Sequence, residues 1–396
     1  TAVLMTGYRS GAHRPDYSVY ARLGDATGLG RFQRLRGNGS SPQIAVGADG
    51  TAVAAWVAYL PPRRAEVLRV AIARAGQDFG RVQTLSRAHA VALGGVGVSA
   101  QGRAVVAWRL GTSGRSQTPV QVALAAPGRR FGAMQTLGNS EYDPPAVTVS
   151  PNGTVVVAWL NTPTPPPPLA TSPPEAYTAR LLATTITPHA ATFAPATELA
   201  ALNDWSRRPD ATSGPGGAVV TWRHAADQKR LVSLTPQNVF EPAVALPPST
   251  YNPEKDDHLA LGIPADATTV ALWREVRTRN PEDPSETFAA IYSCVRPPGG
   301  EFSSAAQVST PGWLAGPPHA GALTDRTVAA WTETRADRVR LRIAARRSGH
   351  AWTTLHRLLT PRIDINSVNV AASPRYAVVT WIQQAVAASR QEDRCT

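Results

Sequence analysis

Seven short segments of this chain end in tryptophan, and they are written in nearly the same letters. "DGTAVAAW" (49–56), "QGRAVVAW" (101–108), "NGTVVVAW" (152–159) and "GGAVVTW" (216–222) lead a series that places Trp56, Trp108, Trp159, Trp222, Trp273, Trp331 and Trp381 at intervals of 52, 51, 63, 51, 58 and 50 residues. The period is near 51, with two insertions. Each tryptophan closes an alternating, β-branched run, which is the pattern of a strand in a packed sheet. A turn rich in Gly, Asp, Asn or Pro lies just upstream, preceded by another short strand such as "PQIAV" or "PAVTV". Strand, tight turn, strand reads as a hairpin.

A second signature follows each tryptophan. After a strand of the "VLRVAIARA" type comes an aromatic residue and then another short strand: "FGRVQTLS" (79–86), "FGAMQTLG" (131–138), "FAPATELA" (193–200), "FEPAVALP" (240–247), "FSSAAQVS" (302–309) and "WTTLHRLL" (352–359). The unit therefore holds four strands, A to D, in about 50 residues, too few to bury both faces of a sheet alone. Radial stacking of such sheets solves that problem, so the expected fold is all-β, a seven-bladed β-propeller of four-stranded blades.

Six units are complete and the ends are partial. "DYSVYARL" and "RFQRL" read as strands C and D at the N-terminal end, "SVNVAAS" and "YAVVTWIQQ" as A and B at the C-terminal end. Joined, 10–36 and 364–390 make blade 7, and residues 1–396 form a single domain whose ring leaves no sheet edge open. "TAVLMTGY" (1–8) also reads as a strand B, which keeps an eight-bladed reading open.

The Trp-ended strand with its Asp/Asn-Gly-Thr turn resembles the secreted, sialidase-like repeat propellers of bacteria, over essentially the whole chain. The departures are specific. An Asp-box sets tryptophan directly after threonine, whereas Trp56 follows Thr51 by five residues, and "RID" (362–364) is not the Arg-Ile-Pro of sialidases. No Trp-Asp dipeptide or recurring kelch-type Gly-Gly doublet occurs either. The resemblance implies the fold and a secreted or cell-surface bacterial protein, and it does not imply an activity.

Composition narrows the function classes. Hydrophobic residues are 43% of the chain, enough for a large core, yet no apolar run approaches the ~20 residues of a membrane-spanning helix. The chain begins at Thr1 with no apolar leader, as a mature secreted or trimmed chain would. The formal charge is +12 and only Lys229 and Lys255 are lysines, so nearly all the positive charge is arginine. Arginine pairs bidentately with carboxylate and phosphate, and a polysaccharide or cell-surface polymer is favoured over nucleic acid as partner of a monomer. No nucleophile elbow, phosphate loop, dinucleotide fingerprint or His-Glu-x-x-His occurs, and no zinc or calcium spacing, so the sequence names neither metal nor cofactor. Cys294 and Cys395 are a disulfide candidate or two unrelated thiols.

Irregularity marks the candidate site. The A–B turns are short and alike, while the B–C and D–A loops at the other strand ends differ from unit to unit. "NTPTPPPPLATSPPEAYT" (161–178) is a stiff proline-rich arm, and 275–287 reads as a second inserted loop. The D–A loops of blades 3 to 6 carry Tyr142, Trp205, Tyr251 and Trp313 outside the repeat frame, where aromatics serve as stacking platforms or cap a blade. Asp143, Arg207, Arg223 and Arg274 are the charged candidates beside them, with Arg109 at the same position as the last two in blade 2. Asp210, His258 and His319 begin strand A in blades 4 to 6, where blades 1 to 3 have Gln43, Gly95 and Ala146. Two functions lead: a secreted propeller binding a glycan or anionic polymer through these loops, or a glycoside hydrolase or polysaccharide lyase using Asp210, His258, His319 and Tyr251 on an acidic sugar. A protein-interaction scaffold built on the proline arm is a third.

Overall fold

The computed structural model describes all residues except 1, 10–15, 26–27, 61–64, 89–90, 112–117, 141–142, 162–178, 203–208, 225–227, 248–258, 281–282, 337, 362, 376 and 386–396. It is all strand and turn, with no helix among the described residues. Five four-stranded antiparallel meanders and a five-stranded sixth sheet follow one another in chain order. Sheet I uses the second half of β3 (Gly28–Val46), then β4 (Ala52–Leu60), β5 (Ala65–Ala73) and β6 (Gln83–Ala88). Sheet II is β7 (Val91–Val98), β8 (Ala104–Leu110), β9 (Thr118–Ala125) and β10 (Gln135–Ser140). Sheet III is β11 (Ala146–Val149), β12 (Val155–Asn161), β13 (Ala179–Ile186) and β14 (Thr197–Leu202). Sheet IV is β15 (Asp210–Gly214), β16 (Gly217–His224), β17 (Gln228–Leu234) and β18 (Val244–Ala245). Sheet V is β19 (Leu259–Gly262), β20 (Thr269–Asn280), β21 (Asp283–Arg296) and β22 (Ala306–Gln307). In sheet VI, β23 (Leu314–Ala315) and β24 (His319–Ala322) both pair with β25 (Arg326–Arg335), which is followed by β26 (Arg338–Arg347) and β27 (Thr353–Pro361).

The terminal sheets differ in one respect from the expected halves. At the N-terminal end β1 (Ala2–Arg9) pairs with β2 (Asp16–Asp25), which pairs with the first part of β3, giving three strands in the order B, C, D. The segment that also reads as a strand B therefore is one. At the C-terminal end β28 (Ile363–Ala372) and β29 (Ala377–Ala385) form a two-stranded sheet. The 275–287 insertion is also a correction. Its backbone continues the β20–β21 hairpin, with Val276 opposite Ala289, Thr278 opposite Thr287 and Asn280 opposite Asp283. The β-branched residues on both arms keep the ladder going where composition reads as loop. Residues 162–178 of the proline arm lie outside the described residues.

The chain divides into two compact units. The first is Thr1–Ser213 with Gly217–Leu246, and the second is Gly214–Gly216 with Pro247–Thr396. Within each, the cores lie between successive sheets. Trp108, Val106 and Phe131 of sheet II pack with Val53, Leu68 and Val70 of sheet I; Trp159 and Phe193 of sheet III pack with Val105, Val120 and Val122 of sheet II. Trp331 and Trp352 of sheet VI meet Leu272 and Ile291 of sheet V in the same way. The two recurring aromatics of the sequence thus serve one purpose, since both fill the interface with the preceding sheet. Trp56, Trp108 and Trp331 are fully buried. Glycine permits the approach, because a Cβ on Gly39 would lie 2.5 Å from the Trp56 ring and one on Gly95 2.5 Å from Val147.

A polar clip reinforces these interfaces. The Gln33 amide donates to the Phe79 carbonyl at 2.8 Å and accepts from the Phe79 N–H at 2.7 Å. Gln83 repeats the pair with Phe131 at 2.8 and 3.2 Å, so a strand-D glutamine grips the aromatic turn of the next sheet. At the A–B turns Asp49 accepts from the Thr51 N–H and hydroxyl, and Asp266 does the same for Thr268. This is the physical content of the Asp-Gly-Thr signature, a side chain closing its own turn while the glycine takes a positive φ of 82° at Gly50 and 83° at Gly153. The A–B and C–D turns thus form a pinned end of each sheet, and the B–C and D–A connections form the other end.

Candidate functional site

Strand B carries the first candidates to the loop end, since Arg109, Arg223 and Arg274 each stand one residue past the strand's tryptophan. Alternation turns that position away from the tryptophan's face. Arg109 shows the consequence. It is 3% exposed, donates to the Thr118 hydroxyl at 3.1 Å, and that hydroxyl donates to the Ser140 carbonyl at 3.0 Å. Ser140 in turn donates to the Asp143 carbonyl at 2.9 Å. Burial pushes the Arg109 pKa down, and the negative charge of Asp143 works against that shift. Two residues singled out by sequence are thus linked, by that relay and by charge, between sheet II and the loop leading into sheet III. Arg223 is half-buried and stands opposite Lys229 in the β16–β17 register, while Arg274 stands opposite Ile291.

Sheet VI builds a second charged cluster. Glu333, two residues past Trp331, is fully buried, yet its carboxylate is answered on every side. The Thr310 N–H donates to Oε1 at 2.8 Å, the Trp331 indole at 3.1 Å and Arg342 at 3.3 Å, while Arg340 donates to Oε2 at 2.8 Å through Nε. Burial alone would raise the Glu333 pKa, but the Thr310 amide, the Trp331 indole and Arg340 together hold it below the usual carboxylate range. Both arginines also donate to the Thr310 hydroxyl at 2.6 Å. Over this sits Trp313, with the Arg340 guanidinium 3.8 Å from its ring centroid. One face of the predicted stacking residue is therefore occupied by its own sheet. The D–A loop is further stitched down by Leu314 and Ala315 pairing with Thr334 and Glu333.

The remaining candidates separate. His319 opens β24, half-buried, and Asp210 opens β15, exposed. Asp143, Asp210 and Arg223 belong to the first unit, and Arg274, Trp313 and His319 to the second. Tyr142, Trp205, Arg207, Tyr251 and His258 lie outside the described residues, as does Cys395. Cys294 is a free, buried thiol, 1% exposed, and burial pushes its pKa up to about 12, which leaves it an inert thiol in the sheet V core. Among the described residues no three His, Cys, Asp or Glu side chains converge as a metal centre would need.

Sequence reasoning missed Glu333 and its relative Glu275, which accepts from the Trp273 indole at 3.2 Å. The signal was present as "WRE" (273–275) and "WTE" (331–333), a carboxylate two residues past the repeat tryptophan. It also missed a groove of about 250 Å³ at the pinned end, between the C–D turns of sheets I and II.

No protein-family model matches the chain and no curated protein matches it in sequence. Solved structures do match it in fold. The polysaccharide lyase Uly1 superposes with a TM-score of 0.51 at 6% identity, over 87% of this chain and 86% of its own. The β-propeller domain of the Trilobed protease from Pyrococcus furiosus matches at a TM-score of 0.45 and 8% identity, covering 88% and 94%. Trypanosoma rangeli sialidase matches at 0.38 and 12%, covering 80% and 56%. The likeness to Uly1 is one of fold, without a match in sequence.

Proposed function

We propose that this is a secreted or cell-surface binding propeller of seven blades, monomeric, whose loop end recognises an acidic glycan or similar surface polymer. The observation that carries the reading is the contrast between the two ends of the sheets. Turns at one end repeat the same side-chain caps, while the other end carries Arg274, Trp313 and His319 in the second unit and Arg223 in the first, beside connections that differ from sheet to sheet. Arginine and an aromatic on a rigid sheet end suit a carboxylated or sulfated pyranose, and the fold shared with a polysaccharide lyase is compatible with that ligand class.

The test is calorimetric titration of polygalacturonate and of its fully methyl-esterified form at low and high salt. Binding of the acid form alone, weakened roughly tenfold or more by salt and by Arg223→Ala, is the expected result. Equal binding of the neutral ester would overturn the proposal. Cleavage of the polymer, lost in His319→Ala or His258→Ala with the melting curve unchanged, would replace the binding reading with the enzymatic one.

A further inference from the structure

The groove at the pinned end of sheets I and II is lined by Arg74, Arg81, Arg129 and Arg130 around an apolar floor that includes Ile72 and Phe131. Asp78 is the only carboxylate among its described lining residues, and it is already held by Arg31 at 2.7 Å. The walls are fixed in place. Gln83 grips the Phe131 backbone in both directions, and Arg74 donates to the Gly128 carbonyl at 2.9 Å.

The repeat supplies its own control for this charge. Aligning Phe79 with Phe131 and Gln33 with Gln83 and Gln135 puts Arg31, Arg81 and Ala133 in one position, two residues before the strand-D glutamine. The facing turn of the next sheet offers Asp78, Arg130 and Thr192 in one matching position. At the first interface the slot is filled by the Arg31–Asp78 ion pair, and at the third by two uncharged residues, Ala133 and Thr192. Only at the middle interface of these three does the slot bring two arginines together. Arg129, on the same turn, and Arg74, across from it, add to the concentration, where the third interface has Ala191 and Ala126. Like charges at a site built for an ion pair are unfavourable in the absence of a counter-charge. Residues 74, 81, 129 and 130 are all exposed, so that counter-charge can come from solution.

We propose that this groove is a second, independent binding site, which takes one acidic sugar unit of a polyanionic polysaccharide. Arg81 and Arg130 hold the carboxylate or sulfate in the slot where Asp78 sits one sheet earlier. Ile72 and Phe131 carry the apolar face of the ring, and Arg129 and Arg74 flank it. A volume of about 250 Å³ admits one such unit and not a folded partner, and the open side lets the polymer continue past the site. The site lies at the opposite end of the strands from the loops discussed above, so a chain bound here leaves those loops free.

The test uses trigalacturonate, its trimethyl ester and inorganic sulfate as probes, read by thermal shift and titration on the full chain. Arg130→Asp is the informative variant, because in the repeat frame it restores the charge pattern that Arg31 and Asp78 make. It is expected to fold, to melt at or above the parent temperature without ligand, and to lose trigalacturonate affinity by roughly tenfold to a hundredfold. Arg81→Ser is expected to lose affinity without the gain in melting temperature. In an Arg223→Ala background the groove's binding persists, and Arg130→Asp removes it, which separates failure here from failure at the loop end. Unchanged affinity in both Arg130→Asp and Arg81→Ser would overturn the site. Equal affinity for sulfate or for the trimethyl ester would overturn the acidic-sugar assignment, as would tighter binding of a single-stranded DNA oligonucleotide of equal charge.

Discussion

The tryptophan that ends strand B has different company in the two units. In sheets I to IV the indole N–H groups of Trp56, Trp108, Trp159 and Trp222 are buried with no hydrogen-bond partner. In sheets V and VI the same atom donates to Glu275 and Glu333. The residues two positions on explain part of the contrast, because Ala58 and Leu110 have no side-chain acceptor to offer. A buried donor without a partner costs about 1–3 kcal/mol, so the first unit keeps its tryptophans for the apolar surface they bury rather than for a polar contact. The second unit uses the tryptophan as one donor among several on a buried carboxylate. One repeat position thus serves as plain packing in one unit and as the floor of a charge cluster in the other.

The largest effect is expected on removing that carboxylate. Glu333→Gln leaves Arg340 and Arg342, with side chains 10% and 15% exposed, facing no counter-charge. Breaking a buried pair on one side costs about 3–5 kcal/mol, which urea denaturation followed by tryptophan fluorescence will register. A loss below about 1 kcal/mol would show the cluster to be solvated rather than buried. Acid makes the same point without mutation. The folded Glu333 carboxyl is held below its ordinary value of 4.5, so its contribution is complete above pH 4.5 and is lost as pH falls through the lower folded value. Glu333→Gln is expected to flatten the stability profile in that acidic window.

A smaller effect separates the two kinds of tryptophan directly. Trp331→Phe and Trp108→Phe remove similar volume from fully buried positions, but only the first removes a hydrogen bond. Trp331→Phe is therefore expected to cost at least about 1 kcal/mol more than Trp108→Phe, since the first removes a bond and the second also removes an unpaired donor. Equal losses would mean that the Trp331–Glu333 bond adds nothing beyond packing.

Most of the architecture was legible because it is repeated. Trp56 and its six counterparts mark strand B, and the "FGRVQTL" segment marks the turn and strand D; a period-2 pattern repeated this often leaves little freedom in register. The 275–287 hairpin was misread because its charged residues and prolines look like loop, whereas strand pairing is decided by the partner arm, here the Phe288–Tyr292 stretch. The site was less legible for a related reason. Sequence marks what departs from the repeat, as Trp313 does, but not whether a neighbour such as Arg340 already covers it. The Arg81–Arg130 slot needed the opposite comparison, between equivalent positions of successive sheets, and that requires knowing which positions face each other.

The smallest effect, that of Ala267→Gly, concerns one turn position that the two units fill differently. Gly50, Gly102 and Gly153 take φ values of 81–83° in the A–B turns of sheets I to III, and in sheet V the same place in "PADAT" holds Ala267 at φ 59°. The left-handed region costs a residue with a Cβ about 1 kcal/mol, and glycine nothing comparable. Ala267→Gly is expected to stabilise the second unit by about 0.5 kcal/mol, since relief of strain is partly offset by the extra freedom glycine gives the unfolded chain. The converse change is not its mirror image. A Cβ on Gly50 would lie 2.8 Å from the Ala75 Cβ, so Gly50→Ala adds a clash to the dihedral strain and is expected to cost about 1–3 kcal/mol. Urea midpoints of the two variants test the pair. A destabilising Ala267→Gly would mean that Asp266, through its two bonds to Thr268, already makes the left-handed turn the resting state of that segment, and that sheet V has compensated for its missing glycine with its cap.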